Sequence, residues 1–252
     1  MNMFATMCRI EFLKLRRTLA LWMVVVAPAV VVLLQLLIWT GARGDFDVDV
    51  DLWLAFLTNV LSMWAIFMQP LFVALVVTLV YHLDYASQGW PRMFLLPVPR
   101  WTVPAAKLAV VATMVVAATV VLVALSLAGT KLGPLLNERI VLQPDIPFAT
   151  AFARAGKVLV ASLLVVVIQN FVSLRWSSVP VSLGIGITGT FLALFATSWK
   201  YGPYYPWLMG IQVIHGKEAA AARILWLSPA LAIVLAAATL IYATRRDPGL
   251  YQ

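Results

Sequence analysis

The sequence has few of the residues that build disulfide frameworks and metal centres. It contains one cysteine, Cys8, and two histidines, His82 and His215. A lone cysteine excludes an internal disulfide and a cysteine-rich zinc or iron–sulfur site, and two separated histidines supply few further ligands. We therefore expect no metal site and no cofactor in this chain.

Charged residues are scarce as well. They make up 11% of the 252 residues, and hydrophobic residues make up 63%, whereas a soluble domain is about a quarter charged and about half apolar. This much apolar surface requires lipid as its solvent. The net charge of +8 does not indicate nucleic acid, because the basic residues form short clusters between apolar stretches instead of one continuous face.

Motifs for catalysis are missing too. No phosphate-binding G-x-x-x-x-G-K-[ST] loop occurs, since the Gly-Lys-Glu run at residues 216–218 lacks both the upstream glycine and the hydroxyl. Neither H-E-x-x-H nor a serine elbow is present. Gly184, Gly186 and Gly189 match G-x-G-x-x-G, but they lie in an apolar stretch with no preceding strand, which predicts close helix packing instead. We expect no enzymatic activity from this chain alone.

Long apolar runs are abundant. A helix needs about 20 mostly apolar residues to cross a bilayer. The stretches that meet this requirement predict six spans, at residues 19–39, 60–81, 108–127, 158–174, 176–199 and 224–244. The sequence therefore predicts an all-α membrane protein with one six-helix transmembrane domain at 19–244, preceded by a cytoplasmic segment at 1–18 and followed by a tail at 245–252.

Two of these spans have alternative starts. The uncharged stretch around the second span runs from residue 52 to 83, which is too long for a single crossing. We expect residues 52–59 to lie along the outer interface, with a bend between Asn59 and Pro70. The fourth span is short and could instead begin near Phe148.

The orientation follows from basic residues. Lys14, Arg16 and Arg17 stand directly before the first span, and such clusters favour the cytoplasmic side. We therefore expect both termini in the cytoplasm of a bacterial inner membrane. A cleaved signal peptide is the alternative for the first 40 residues, but the apolar run at 19–39 is longer than a typical signal-peptide core.

The segment before the first span has the pattern of an amphipathic helix. One helical face carries apolar side chains, from Phe4, Met7, Cys8, Phe12 and Leu15, which predicts an interfacial helix. Glu11 projects onto that face, so we expect its carboxylate to reach a cation or a partner protein. A simpler alternative is a basic topology anchor, in which Glu11 pairs with Lys14 three residues later.

The cytoplasmic loop between the second and third spans, residues 84–107, is longer than a tight turn. Trp90 and Phe94 fall in a short amphipathic stretch that Pro97 ends. Exposed aromatic side chains indicate a docking partner. The alternative is a solvated basic connection whose tryptophans lie at the membrane interface.

Three motifs carry a resemblance to a known family. They are EFLKLRR at residues 11–17, GW at 89–90 followed by LLPVPR at 95–100 and by Lys107, and VSLGIGI at 181–187. With these motifs, nearly the whole chain resembles the permease subunits of type 2 ABC exporters, especially the branch linked to bacitracin resistance and lantibiotic immunity.

The resemblance implies that the loop forms a coupling helix that fits a groove on a separate ABC ATPase subunit, which would bind ATP and Mg²⁺. Pro91 departs from the family, where a basic residue is common. The implied contact positions are Asp84, Ser87, Gln88, Gly89, Trp90, Arg92 and Arg100, and the implied interfacial-helix positions are Glu11, Lys14, Arg16 and Arg17. The resemblance further implies a second permease chain, identical or homologous, and re-entrant outer helices between the fifth and sixth spans.

The expected function is that of a permease subunit of an ATP-driven exporter for an amphipathic cargo, such as a peptide antibiotic or a lipid-like molecule. Two alternatives stay open: a membrane scaffold or sensor subunit, and a secondary transporter. The latter would need a coupling carboxylate in a span or an inverted repeat, and the sequence indicates neither. We expect His82 to pair with Asp84, and four polar span residues to bond between helices: Gln35, Gln69, Gln169 and Asn170.

Overall fold

The computed structural model describes residues 3–16, 18–41, 52–86, 99–136 and 148–245, and these residues form helices and the turns between them, without any strand. The helices are α1 (Met3–Leu15), α2 (Leu19–Gly41), α3 (Leu52–Met63), a π-helix (Trp64–Met68), α4 (Gln69–Ala86), α5 (Thr102–Leu136), α6 (Phe148–Arg175), α7 (Val179–Ala196), two 3₁₀ turns (Gly202–Tyr204 and Pro206–Leu208), α8 (Met209–His215) and α9 (Glu218–Arg245).

Among the described residues, six stretches of helix are long and apolar enough to cross a membrane, which confirms the predicted fold class. They are α2, the continuous path from α3 through α4, the Thr102–Thr130 part of α5, α6, α7 and α9. The fourth span begins at Phe148, as the alternative start predicted. The chain is a membrane protein.

The second span is longer than predicted. Its helical path runs for 35 residues from Leu52 to Ala86. Trp53, Phe56 and Leu57 of α3 are buried inside the bundle, so this part of the path packs against other helices; its position along the outer interface stays a prediction. The π-helix at Trp64–Met68 interrupts the α-helical hydrogen bonds between the two residues where we predicted a bend.

Close helix packing explains two of the three glycines in the fifth span. A Cβ on Gly186 would lie 2.3 Å from the Cβ of Ala74 in α4, and a Cβ on Gly189 would lie 2.5 Å from Cε2 of Trp207. In lipid, helices associate through such close contacts of small residues. For Gly184 the packing prediction is wrong, because a Cβ there would meet nothing within 4 Å.

Polar side chains tie three of the central helices together. Gln69 of α4 donates to the hydroxyl of Ser162 in α6 at 2.8 Å, and Gln169 of α6 donates to the carbonyl of Ser182 in α7 at 2.7 Å. Thr78 of α4 and Ser182 share a hydrogen bond of 2.8 Å. These contacts confirm interhelical bonding for two of the four predicted residues. The other two are also buried: Gln35 and Asn170.

The segment between α7 and α9 folds back into the bundle. The Tyr205 hydroxyl donates to the carbonyl of Gly189 at 3.0 Å, and Trp207, Leu208 and Met209 are buried. At about 1.5 Å per residue, Gly189 lies roughly 10 Å inside the end of α7 at Ala196. Short helices are thus present where the sequence predicted them, and their position in the outer leaflet stays a prediction.

The two glycines of α7 provide a matched pair of substitutions. We expect Gly186→Ala to destabilise the protein by about 1–3 kcal/mol, because the new methyl group would collide with Ala74. Gly184→Ala should leave stability unchanged or raise it slightly, since alanine favours the helix. Thermal unfolding of the detergent-solubilised chain measures both, and equal melting temperatures for the two variants would contradict the packing described.

Candidate functional site

The first helix packs along α5 through a stripe of side chains four residues apart. Met7, Glu11 and Leu15 are buried, and this spacing places them on one helical face. Phe12, predicted on the apolar face, is 45% exposed and so does not belong to this buried stripe; its position at the membrane interface stays a prediction. The buried face is centred on Glu11, because its carboxylate bonds to a lysine of α5.

Four charged side chains from three helices meet around this carboxylate. They are Glu11 and Lys14 of α1, Asp84 in the last turn of α4, and Lys107 in the second turn of α5. Lys14 Nζ lies 2.6 Å from Glu11 Oε1 and 2.8 Å from Asp84 Oδ1. Lys107 Nζ lies 2.8 Å from Glu11 Oε2 and also pairs with Asp84. We call this group the ion-pair cluster.

Three of the four side chains in the ion-pair cluster are almost completely buried. The Lys107 side chain is 0% exposed and both carboxylates are 4% exposed, whereas that of Lys14 is 27% exposed. Buried charges are tolerated only when they are paired and hydrogen-bonded. Two carboxylates and two ammonium groups balance formally, so the cluster carries no net charge.

Every N–H of the buried ammonium has a partner. A lysine ammonium has three donors, and that of Lys107 faces Glu11, Asp84 and the carbonyl of Val80, the last at 3.0 Å. The ring of Tyr81 lies 5.2 Å from the same nitrogen, within the range of a cation–π contact. The end of α4 therefore surrounds this lysine of α5.

The partly exposed lysine of the cluster is stabilised in its charged form. Burial lowers the pKa of Lys14, but the hydrogen bonds to Asp84 and Glu11 and their negative charges raise it more, so that the net shift is upward. A raised lysine pKa means that its stabilising contribution is complete at neutral pH and is lost only in strongly alkaline solution. Lys14 therefore stays charged under physiological conditions.

The cluster joins both sides of the predicted coupling loop to α1. Asp84 and Lys107 flank that loop, and Arg16 and Arg100 are exposed nearby in sequence. Asp84, predicted as the first contact position of the loop, is buried and holds the two lysines instead of facing outward. The remaining predicted positions lie outside the described residues: Arg17, Ser87, Gln88, Gly89, Trp90 and Arg92.

The sequence identifies Lys107 as part of the loop motif but predicts no function for it. Its position could have indicated an ion pair, because it is the one charged residue in the sequence between Trp101 and Thr130. A charge at the start of an apolar span requires a counter-charge. His82 is exposed, while Asp84, its predicted partner, binds the lysines. The neighbouring Tyr85 donates to the carbonyl of Leu174 at 3.1 Å and so fixes the end of α4 to α6.

This site is a network of ion pairs between three helices. Its carboxylates are neutralised by lysines, and in the part of the chain that the structure describes, no three His, Cys, Asp or Glu side chains are arranged to hold a metal ion. What the arrangement can do is couple the positions of α1, α4 and α5, because its ion pairs join the two sides of the loop to each other and to α1.

Removal of one cation tests the cluster. Lys107→Met should destabilise the protein by about 3–5 kcal/mol, because it leaves two buried carboxylates with one lysine. Lys200→Met, at an exposed lysine, is the matched control and should change stability little. The measurement is thermal or denaturant unfolding in detergent.

A double substitution separates this pairing from a general loss of packing. Glu11→Gln combined with Lys107→Met keeps Lys14 and Asp84 as a balanced pair, so the double variant should lose less stability than the sum of the single variants. Strictly additive losses would show that the two side chains do not interact.

The comparisons with known proteins agree with this architecture. The model of a family described as ABC-2 family transporter protein matches residues 7–193, a stretch that runs from α1 into α7 and includes the whole ion-pair cluster. The searches against curated proteins and against solved structures found no match. Since the matched stretch covers well over half of the sequence, the chain belongs to the ABC-2 family of transporter proteins.

Proposed function

We propose that this chain is the permease subunit of an ATP-driven ABC exporter. The family assignment supports a membrane-spanning permease and, in general, an ABC ATPase partner. The sequence contains no phosphate-binding loop, which is consistent with ATP and Mg²⁺ binding on that separate subunit. Two permease chains, identical or homologous, form the pathway, and two ATPase subunits drive it.

The observation that carries the proposal is the ion-pair cluster. A loop that receives a push from an ATPase can move the membrane helices only if its two ends are held firmly to them. Asp84 and Lys107 hold the two ends to each other and, through Glu11 and Lys14, to α1. In the proposed mechanism, closure of the ATPase subunits displaces the loop, and α1, α4 and α5 follow as one unit.

The cargo in this proposal is amphipathic, such as a membrane-active peptide antibiotic or a lipid-like molecule. The six apolar helices contain few charged residues, and a strongly charged solute would find little to replace its hydration there. An amphipathic cargo that enters from the bilayer has already lost most of its hydration, so the pathway needs fewer polar groups to replace that water. Antibiotic resistance by export fits this choice.

The second permease chain has ample surface to bind. Several large apolar side chains project outward from the bundle, including Trp22 of α2, Phe195 of α7 and Ile233 of α9. In the proposed dimer, part of this surface contacts the second chain and the rest contacts lipid. The cluster and both termini lie on the cytoplasmic side of the inner membrane, where the ATPase is reached.

Substitutions in the loop test the coupling. Trp90→Ala or Arg92→Gln should leave the permease inserted in the membrane but reduce transport relative to ATP hydrolysis, because these side chains are proposed to contact the ATPase. Trp226→Ala replaces a tryptophan that is 82% exposed on the predicted outer side, and should preserve coupling.

The measurement is ATP hydrolysis and cargo efflux in proteoliposomes that contain the permease and its ATPase subunit. Full transport by both loop variants would reject the coupling assignment. Transport without any ATPase subunit would reject the exporter proposal itself.

A further inference from the structure

The end of the bundle opposite the ion-pair cluster contains a cavity of about 410 Å³ between α3, α6, α8 and α9. On α6, the contact of Tyr85 with Leu174 marks the level of the cluster, and Arg154 of the cavity lies 20 residues before Leu174. At about 1.5 Å per residue the two levels are roughly 30 Å apart, close to the thickness of the hydrocarbon core. The cavity and the cluster therefore belong to opposite membrane surfaces.

The lining of this cavity has a charged side and an apolar side. Arg154 and Lys157 come from one face of α6, and Glu218 comes from the first turn of α9. The apolar lining includes Leu61 of α3 and Leu225 of α9. The three charges sum formally to +1. The volume falls in the range of about 300–1,000 Å³ that small-molecule sites occupy.

Arg154 is held in a defined orientation. One of its terminal nitrogens donates to the Thr58 hydroxyl at 3.0 Å, and that hydroxyl in turn donates to the carbonyl of Leu54 at 2.7 Å. A guanidinium has five N–H donors in a planar fork. The hydrogen bond to Thr58 therefore orients the group and leaves other N–H donors for a ligand. Such a fork matches the geometry of a phosphate, and a lysine adds a second positive charge.

We propose that this cavity binds a phosphate-bearing amphiphile, with Arg154 and Lys157 on the phosphate and Leu61 and Leu225 against the adjoining apolar part. The formal charge of +1 balances a phosphate with a single negative charge, so the proposed ligand is a phosphodiester. Such a ligand is either a phospholipid of the bilayer or the exported cargo. The assignment as cargo rests on the proposed function, but the binding itself requires no ATPase.

Binding is tested with the purified full-length chain in dodecyl maltoside, a detergent without phosphate. The probe is dihexanoylphosphatidylglycerol, a soluble phosphodiester amphiphile, and the readout is its dissociation constant by titration calorimetry. We expect saturable binding that weakens by about a hundredfold or more in Arg154→Gln with Lys157→Gln, since this double variant removes both charged hydrogen-bond donors to the phosphate. Equal affinity in the wild type and this double variant would overturn the proposal.

Three further variants keep the test clear if the double variant does not fold. Lys157→Gln alone, at an exposed residue, should also weaken binding. The charge-preserving pair Arg154→Lys with Lys157→Arg should retain it, and so should Lys200→Gln, at a lysine outside the cavity. Inorganic phosphate should not displace the probe at comparable concentration; displacement would contradict a role for the apolar lining.

Native mass spectrometry of the permease–ATPase complex distinguishes the two sources of the ligand. A co-purified phosphodiester lipid that stays bound during ATP hydrolysis identifies a bilayer lipid, and one that is released by ATP hydrolysis identifies cargo; both results support the site. If the variants lose binding while the wild type shows no ATP-driven transport, the site stands and the exporter proposal fails.

Discussion

The ion-pair cluster is the constraint on which the arrangement of α1, α4 and α5 depends. A charge withdrawn from water costs several kcal/mol unless other groups compensate it, and Lys107 is 0% exposed. Its counter-charges come from two other helices. The positions of α4 and α5 are therefore determined by each other, because their separation would break the Asp84–Lys107 pair, and α1 is bound to both of them through Lys14–Asp84 and Glu11–Lys107.

The interactions between helices differ along the bundle. At the cluster end, charges hold the helices that border the loop, whereas in the middle of the bundle, neutral hydrogen bonds such as Gln69–Ser162 and Thr78–Ser182 connect α4 to α6 and α7. Neutral bonds of this kind contribute about 1 kcal/mol or less each in membranes. A movement imposed at the loop can thus shift the central helices at lower cost than it would separate α1, α4 and α5.

Features that depend on neighbouring residues could be predicted from the sequence, whereas contacts between residues far apart in the sequence could not. Spans follow from local composition, so six of them were predictable, and the misplaced carboxylate of Glu11 already signalled a partner. The partner itself was not predictable, because Lys107 lies 96 residues away from Glu11 and only the fold brings them together. Likewise, Gly184 and Gly186 look equivalent in the sequence, and only the position of Ala74 distinguishes the open glycine from the tightly packed one.

We propose above all that the ion-pair cluster fixes this permease in order to receive an ATPase subunit. Native mass spectrometry of the tagged chain, purified in mild detergent from its own membrane, tests this claim most directly. We predict a stoichiometric ATP-hydrolysing subunit on the permease. A lone chain without ATPase activity, with cross-linking in intact membranes also capturing no such subunit, would contradict it.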